Sequence, residues 1–224
     1  MSARPANPLI FPLDVPTLEE ARAWVERLRG HVGMFKLGLQ LFSAHGPGAV
    51  REVTRAGGRI FLDMKLHDIP ATVEGAARAL RGLDLAMLTV HAQGGKAMLE
   101  AAVAGAGEGV CVLAITRLTS LPASIDEVAE AARCAREAGC GGVVCAGPEV
   151  AAVREALGPE LTIVCPGVRP AGADAGDQVR VATPAEAVRA GADHLVIGRP
   201  IRDHADPVAA ADALLAEALA AYAG

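Results

Sequence analysis

Six consecutive residues, Asp63-Met64-Lys65-Leu66-His67-Asp68, bring two carboxylates and an ammonium together at the end of an apolar run. A carboxylate beside an ammonium keeps both groups charged. A lysine held protonated in a site screened from water can donate a proton or stabilise developing negative charge, and it is a poor Schiff-base nucleophile. The same pair would also serve as a structural ion pair filling one end of the fold. Lysine usage bears on the choice. The 21 basic residues are 18 arginines and three lysines, Lys36, Lys65 and Lys96. Lys36 and Lys65 both lie in apolar, strand-like segments. Burying an ammonium is costly, and lysine, unlike arginine, can release its proton. For Lys36 alone, a packed stem whose head reaches water is an equal alternative.

A second group of residues suits a phosphate. Val196-Ile197-Gly198-Arg199 ends a strand-like run with a glycine and then a cation. Backbone N–H groups beside a glycine, together with an arginine fork, match a phosphate dianion. Arg169, after Pro166-Gly167-Val168, and Gln178, in the irregular stretch 169–181, could close over the same group. Metal ligation has weaker support. The six histidines show no His-x-x-x-His spacing, and Asp14 and Asp63, which could hold Mg²⁺, each have a lysine as an alternative partner. His91 reads as a satisfied histidine at a rim. Asp68 reads as an N-cap for the helix entered through Ile69-Pro70, a role compatible with a catalytic one.

These residues need a scaffold that gathers them. Short apolar runs at 9–13, 34–37, 60–65, 87–90, 110–115, 142–145, 162–165 and 194–197 read as strands. Helical patterns fall near 18–29, 48–56, 71–81, 95–104, 125–138, 149–157, 184–190 and 207–222. Thr17 with Glu20, Ser124 with Glu127, and Thr183-Pro184 with Glu186 mark helix starts. Regular alternation means parallel strands joined by crossover helices, and eight repeats match a closed (β/α)₈ TIM barrel. An open doubly wound sheet is the alternative, but no Gly-x-Gly-x-x-Gly follows the first strand. No linker divides the chain, so one barrel domain is expected over 1–224, with a short tail at 1–8.

In such a barrel the site lies at the C-terminal strand ends. Those ends carry Asp14, Lys36, Asp63 to Asp68, Thr89-Val90-His91, Thr116 with Thr119, Arg169 and Arg199. Period-two alternation puts Phe61, Asp63 and Lys65 on the inward face, with Cα atoms of the last two about 6.6–6.8 Å apart. Leu62, Met64 and Leu66 then face the helices.

Composition excludes other classes. At 224 residues and 52% hydrophobic the chain can bury a large core without staples. A net charge of −5 and 3% aromatics argue against nucleic acid as a partner. No apolar run approaches the roughly 20 residues that span a bilayer, and no signal peptide opens the chain. The five cysteines, an odd number without zinc spacing, read as reduced, mostly buried thiols of a cytoplasmic protein.

The stretch Asp63 to Val73, with Ile69-Pro70-Ala71-Thr72 after the charged core, resembles the signature of the orotidine 5′-phosphate decarboxylase family. The likeness continues in order through Leu13-Asp14, Lys36-Leu37-Gly38, Val90-His91-Ala92, Leu118-Thr119-Ser120, Pro166-Gly167-Val168-Arg169-Pro170, Asp177-Gln178 and Ile197-Gly198-Arg199-Pro200-Ile201. The resemblance implies decarboxylation of orotidine 5′-phosphate to UMP and CO₂, the last step of de novo UMP synthesis, with no metal or organic cofactor. It implies a Lys36–Asp63–Lys65–Asp68 array in which Lys65 stabilises and protonates the ring carbon. Asp14 and Lys36 would hold the ribose, Thr119 the pyrimidine, and Arg169, Gln178, Gly198 and Arg199 the phosphate. It further implies a homodimer in which Asp68 and Thr72 reach the partner's substrate, with Ile69 also among the substrate-binding residues. Two rivals remain: an Mg²⁺-dependent sugar-phosphate decarboxylase or synthase of related fold, and a non-catalytic UMP-binding barrel.

Overall fold

The structure is a computed structural model that describes residues 4–170 and 182–223. Eight parallel strands close into a barrel in sequence order: β1 (Leu9–Pro12), β2 (Met34–Gly38), β3 (Ile60–Leu66), β4 (Leu85–His91), β5 (Cys111–Ile115), β6 (Gly142–Val144), β7 (Thr162–Pro166) and β8 (His194–Val196). The ring is sealed where Leu9 pairs with Leu195. All eight expected strands are present, with ends shifted by one or two residues. The closed order excludes the open sheet.

The helices that cover the barrel begin where local chemistry dictates. In α1 (Leu18–Leu28) the Thr17 side chain accepts from the Glu20 amide. In α6 (Ile125–Glu137) and α8 (Pro184–Ala190), Ser124 with Glu127 and Thr183 with Glu186 form reciprocal capping boxes. These satisfy amide donors that a helix start otherwise leaves without partners. The remaining expected helices are α3 (Pro47–Arg55), α4 (Pro70–Ala79), α5 (Gly95–Ala106), α7 (Val150–Leu157) and α10 (Pro207–Ala223). Two short helices, α2 (Leu39–His45) and α9 (Arg199–Arg202), are additions to the sequence reading. Each starts directly off a strand end, after Gly38 or Gly198, with no side-chain cap to announce it.

Side-chain alternation divides the core in two. Ile10, Met34, Phe61, Met87, Leu113, Ile115, Val144 and Val164 fill the barrel interior. Leu9, Phe11, Phe35, Leu37, Leu62, Leu88 and Val90 pack outward against the helices. The interior is a packed core, so open space remains only at the barrel's ends. The segment ahead of β1 is fastened to the end opposite the site. Asn7 donates to the His31 carbonyl, and Arg4 stacks on Tyr222. All five cysteines are free thiols, three buried and two half-buried. Burial pushes the Cys140 and Cys165 thiols up to about 12, which leaves them protonated and unreactive. Among the described residues no helix is long and apolar enough to cross a membrane.

His194 lies at the start of β8 and is 8% exposed. Burial lowers its pKa from 6.5 to about 4, and Arg59 adds to this, against opposing pulls from Asp193 and the Pro8 backbone. The unfolded imidazole therefore binds a proton that the folded one refuses, so stability is full above pH 6.5 and drains as pH falls toward 4. Denaturant melts across that window will show His194→Asn lacking a slope of up to about 1.4 kcal/mol per pH unit that the wild type has. Equal slopes in both proteins would mean the buried imidazole titrates normally.

Candidate active site

β3 is not a regular strand where it matters. Leu62 pairs with Leu88 and Leu66 with Val90, so four steps on β3 match two on β4. The surplus forms a bulge, and within it Lys65 takes φ +50°, the one non-glycine residue with a left-handed backbone among those described. Such a conformation costs a side-chain-bearing residue free energy, and surrounding contacts must hold it. The hold comes from β4. Thr89, fully buried, accepts from the Lys65 amide at 2.8 Å and donates to Asp63 Oδ1 at 2.9 Å. The regular alternation expected from sequence thus fails in its geometry but survives in its outcome. Met64 and Leu66 pack outward, and Asp63 and Lys65 meet at the barrel mouth.

The polar groups there form a row of alternating charge. Lys65 Nζ lies 2.6 Å from Asp63 Oδ2. Lys36 Nζ lies 3.7 Å from the same oxygen and 3.3 Å from Asp14 Oδ1. Neighbouring strands set these spacings, because Lys36 stands beside Pro12 and Phe61, and Gly38 beside Asp63. Gly38 leaves the Lys36 head its room, and a side chain there would press it by a few tenths of an ångström. A Cβ there would sit 3.2 Å from Lys36 Nζ and 3.6 Å from Asp14 Oδ1. Asp63 is 7% exposed. Burial pushes its pKa up, but the Lys36 and Lys65 ammoniums and the bonds from Lys65 and Thr89 outweigh this and hold the carboxyl below its usual range. The position a divalent cation would take between Asp14 and Asp63 is filled by the Lys36 ammonium.

Two adjoining hollows open onto this row. The larger, about 310 Å³, is bounded by Asp14, Lys36, Gly167, Arg169, Gly198 and Arg199. The smaller, about 130 Å³, lies over Phe61, Asp63 and Lys65, with Arg117 and Thr119 at its side. Lys36, Pro166 and Val196 line both. Together they make one trough with guanidinium groups at one end and the Asp63–Lys65 pair at the other. A substrate with a phosphate at one end and a flat, reactive group at the other would fit that division of charge and space.

The sequence-derived residues fall into three groups. Asp14, Lys36, Asp63, Lys65, Thr119, Arg169, Gly198 and Arg199 all line the trough. Asp68, Ile69 and Thr72 do not. They are exposed on the outer rim at the start of α4, and Ile69 is 66% exposed. Asp68 accepts from the Ile69 amide at 2.6 Å and makes no ion pair among the described residues, so within one chain the row is Asp14–Lys36–Asp63–Lys65. Nor does Asp68 cap α4, whose N-cap is Ile69 with no side-chain bond. Gln178 lies outside the described residues. The ends of that stretch are drawn together, with Val168 bridged to Ala182 and the Arg169 amide donating to the Ala182 carbonyl.

Two residues escaped the sequence reading of the site, and a third, Thr89, was placed at its strand end without a role. Arg202 walls the larger hollow, paired to Asp203, and Arg117 the smaller. Thr89 braces the bulge; its signal was a hydroxyl among the apolar residues of β4 ahead of His91. His91 is less settled than expected. Its ring lies 5.3 Å from that of His67 and its Nδ1 is buried without a partner. Burial, with His67 and Lys65 close by, lowers its pKa against the pull of Asp63.

Comparison with known proteins agrees with this geometry. Residues 7–214 match the family described as orotidine 5′-phosphate decarboxylase / HUMPS. The chain belongs to that family. Among its relatives, orotidine 5′-phosphate decarboxylase of Anaeromyxobacter sp. (strain K) is 55% identical, over 95% of this chain and 99% of the relative. That of Moorella thermoacetica is 53% identical, over 93% and 91%. The crystal structure of orotidine 5′-phosphate decarboxylase from Lactobacillus acidophilus superposes with a TM-score of 0.83 at 34% identity, covering 95% of this chain and 99% of that one. The (β/α)₈ fold is therefore that of a decarboxylase-family barrel, with the trough at the C-terminal strand ends.

In this family member the third lysine stands apart from the row. Lys96 is on the outer face of α5, 3.8 Å from Glu100, with over half its side chain exposed. The row itself has a measurable signature. Asp63, held below its usual pKa, contributes stability that is present above the unfolded carboxyl value and lost as pH falls through the folded one. At pH 7, Asp63→Asn should melt roughly 1.5–3 kcal/mol below the wild type, the worth of charge-assisted bonds. The gap should close in acid as the wild-type carboxyl protonates. A gap constant down to pH 2–3 (about one unit under the ordinary carboxyl value) would mean the charge is not engaged.

Proposed function

We propose that this chain decarboxylates orotidine 5′-phosphate to UMP and CO₂ in pyrimidine nucleotide synthesis. The observation that carries the reading is the Asp14–Lys36–Asp63–Lys65 row, set at one end of a trough whose other end gathers Arg169, Gly198 and Arg199. The family membership and the names of the relatives support the same reaction.

The chemistry follows from the row. The phosphate is taken by Arg169, Arg199 and the Gly198 backbone, with Gln178 completing the set. Asp14 and Lys36 bind ribose hydroxyls, and Thr119 flanks the pyrimidine. The scissile carboxylate then lies against Asp63. The carbon–carbon bond to that carboxylate breaks, CO₂ departs, and the electron pair stays on C6 of the ring. The Lys65 ammonium faces that carbon, stabilises the developing charge and delivers a proton to it. The neutral amine regains its proton from solvent. Fixed charges aimed at the transition state do this work without reorganisation, and phosphate binding remote from C6 supplies the energy to assemble them. No step calls on a metal or an organic cofactor.

The exposed rim of Asp68, Ile69 and Thr72 is assigned to a homodimer in which each chain completes its partner's trough. Asp68 and Thr72 stand exposed outside their own chain's trough, which leaves them free to reach a partner's.

The loss of orotate absorbance with orotidine 5′-phosphate and EDTA present tests the reaction. Turnover by the wild type and a loss of at least about 10⁴-fold in Lys65→Ala are expected for a group acting in the transition state. Neither turnover nor UMP binding would favour an Mg²⁺-dependent sugar-phosphate enzyme, and UMP binding without turnover a nucleotide sensor. Arg199→Ala should raise KM far more than it lowers kcat, and unchanged kinetics would remove Arg199 from the phosphate site.

Mixing tests the shared site. Asp68→Ala and Lys65→Ala are each expected to be inactive, and after subunit exchange their mixture should regain activity, because some troughs then hold both wild-type groups. A mixture as inactive as its parents would place Asp68 in its own chain's site or outside the reaction.

A further inference from the structure

We infer that Thr89 is a positioning residue: its hydroxyl fixes the Asp63 carboxylate and latches the β3 bulge from which Lys65 projects. The inference rests on the decarboxylase reading for what the positioning serves, and on geometry for the positioning itself. Thr89 Oγ1 accepts the Lys65 amide at 2.8 Å and donates to Asp63 Oδ1 at 2.9 Å, with the side chain wholly buried. One hydroxyl thus uses its donor on the carboxylate and a lone pair on the backbone of the lysine. Because Oδ1 is committed to Thr89, the carboxylate plane is set, and Oδ2 is turned toward Lys65 at 2.6 Å and Lys36 at 3.7 Å. Because the Lys65 amide is committed as well, a left-handed residue at φ +50° keeps its place without a ladder partner. The groups that face the carboxylate are Lys36 from β2, Lys65 from β3, and Thr89 and His91 from β4, with Asp14 beyond Lys36. Thr89 is hydrogen-bonded to both members of the reacting pair.

Valine matches threonine in shape and lacks the hydroxyl, so Thr89→Val removes both bonds and little else. Thr89→Ser keeps the hydroxyl, and Thr89→Ala stands in should valine fail to fold. With orotidine 5′-phosphate, valine or alanine is expected to lower kcat about 10- to 100-fold with little change in KM, the scale of a lost bond to a charged group. Serine should stay within about 3-fold of the wild type on the same scale. A ¹³C titration of the Asp63 carboxyl reads the positioning without turnover: its midpoint should rise in Thr89→Val or Thr89→Ala and stay put in Thr89→Ser. The inference is overturned if valine or alanine lowers only the melting temperature, or if serine falls as far as alanine. Should the wild type fail to turn over, the decarboxylase reading is lost, while the titration still decides the role of Thr89.

Discussion

The site depends on a single carboxylate kept charged out of water. Asp63 would cost several kcal/mol to bury alone. What offsets that cost is a pair of ammoniums, Lys65 and Lys36, on one oxygen and a threonine hydroxyl on the other. Each needs the others. Without Asp63 two ammoniums would crowd one barrel mouth, and without the ammoniums burial would push the carboxyl's pKa up. The arrangement is therefore more than the sum of its pairs, and three adjacent strands are required to hold it.

The barrel supplies those strands cheaply. Parallel neighbours in sequence order put Lys36 beside Phe61 and Gly38 beside Asp63, and the bulge of β3 spans the step from Leu88 to Val90 in which Thr89 stands. Helices covering the outer face leave the strand ends free to carry charge. Only β3 departs from regularity, and it does so where the chemistry is concentrated. A uniform strand would direct Asp63 and Lys65 along parallel lines; the bulge instead brings the lysine head back onto the carboxylate. Strain of this kind belongs at reactive positions and is held by buried bonds elsewhere.

The scaffold was largely legible in the sequence. Eight apolar runs separated by capped helical patterns leave few options for topology, and the capping residues Thr17, Ser124 and Thr183 act as read. The short helices α2 and α9 were not legible, since a turn that starts directly on a strand end has neither period nor cap. The facing of Asp63 and Lys65 followed from alternation, although the backbone that achieves it did not. Bulges depend on what the neighbouring strand offers, and the Thr89 hydroxyl gives little sign of itself among Ala86, Met87, Leu88 and Val90. The family resemblance supplied Asp68, which no spacing argument within one chain could place, and one chain leaves it on the rim.

The uneven use of lysine has a practical side. With Lys36 and Lys65 engaged at the trough, Lys96 is the remaining side-chain amine, and it points outward from α5 beside Glu100. Among lysine side chains, an amine-directed chemistry therefore meets one open surface position and two that are shielded by carboxylates. A dye or a biotin directed at lysine side chains will collect on Lys96, in the first turn of α5. The sequence that saves its lysines for the site has, as a by-product, left the molecule a single open lysine.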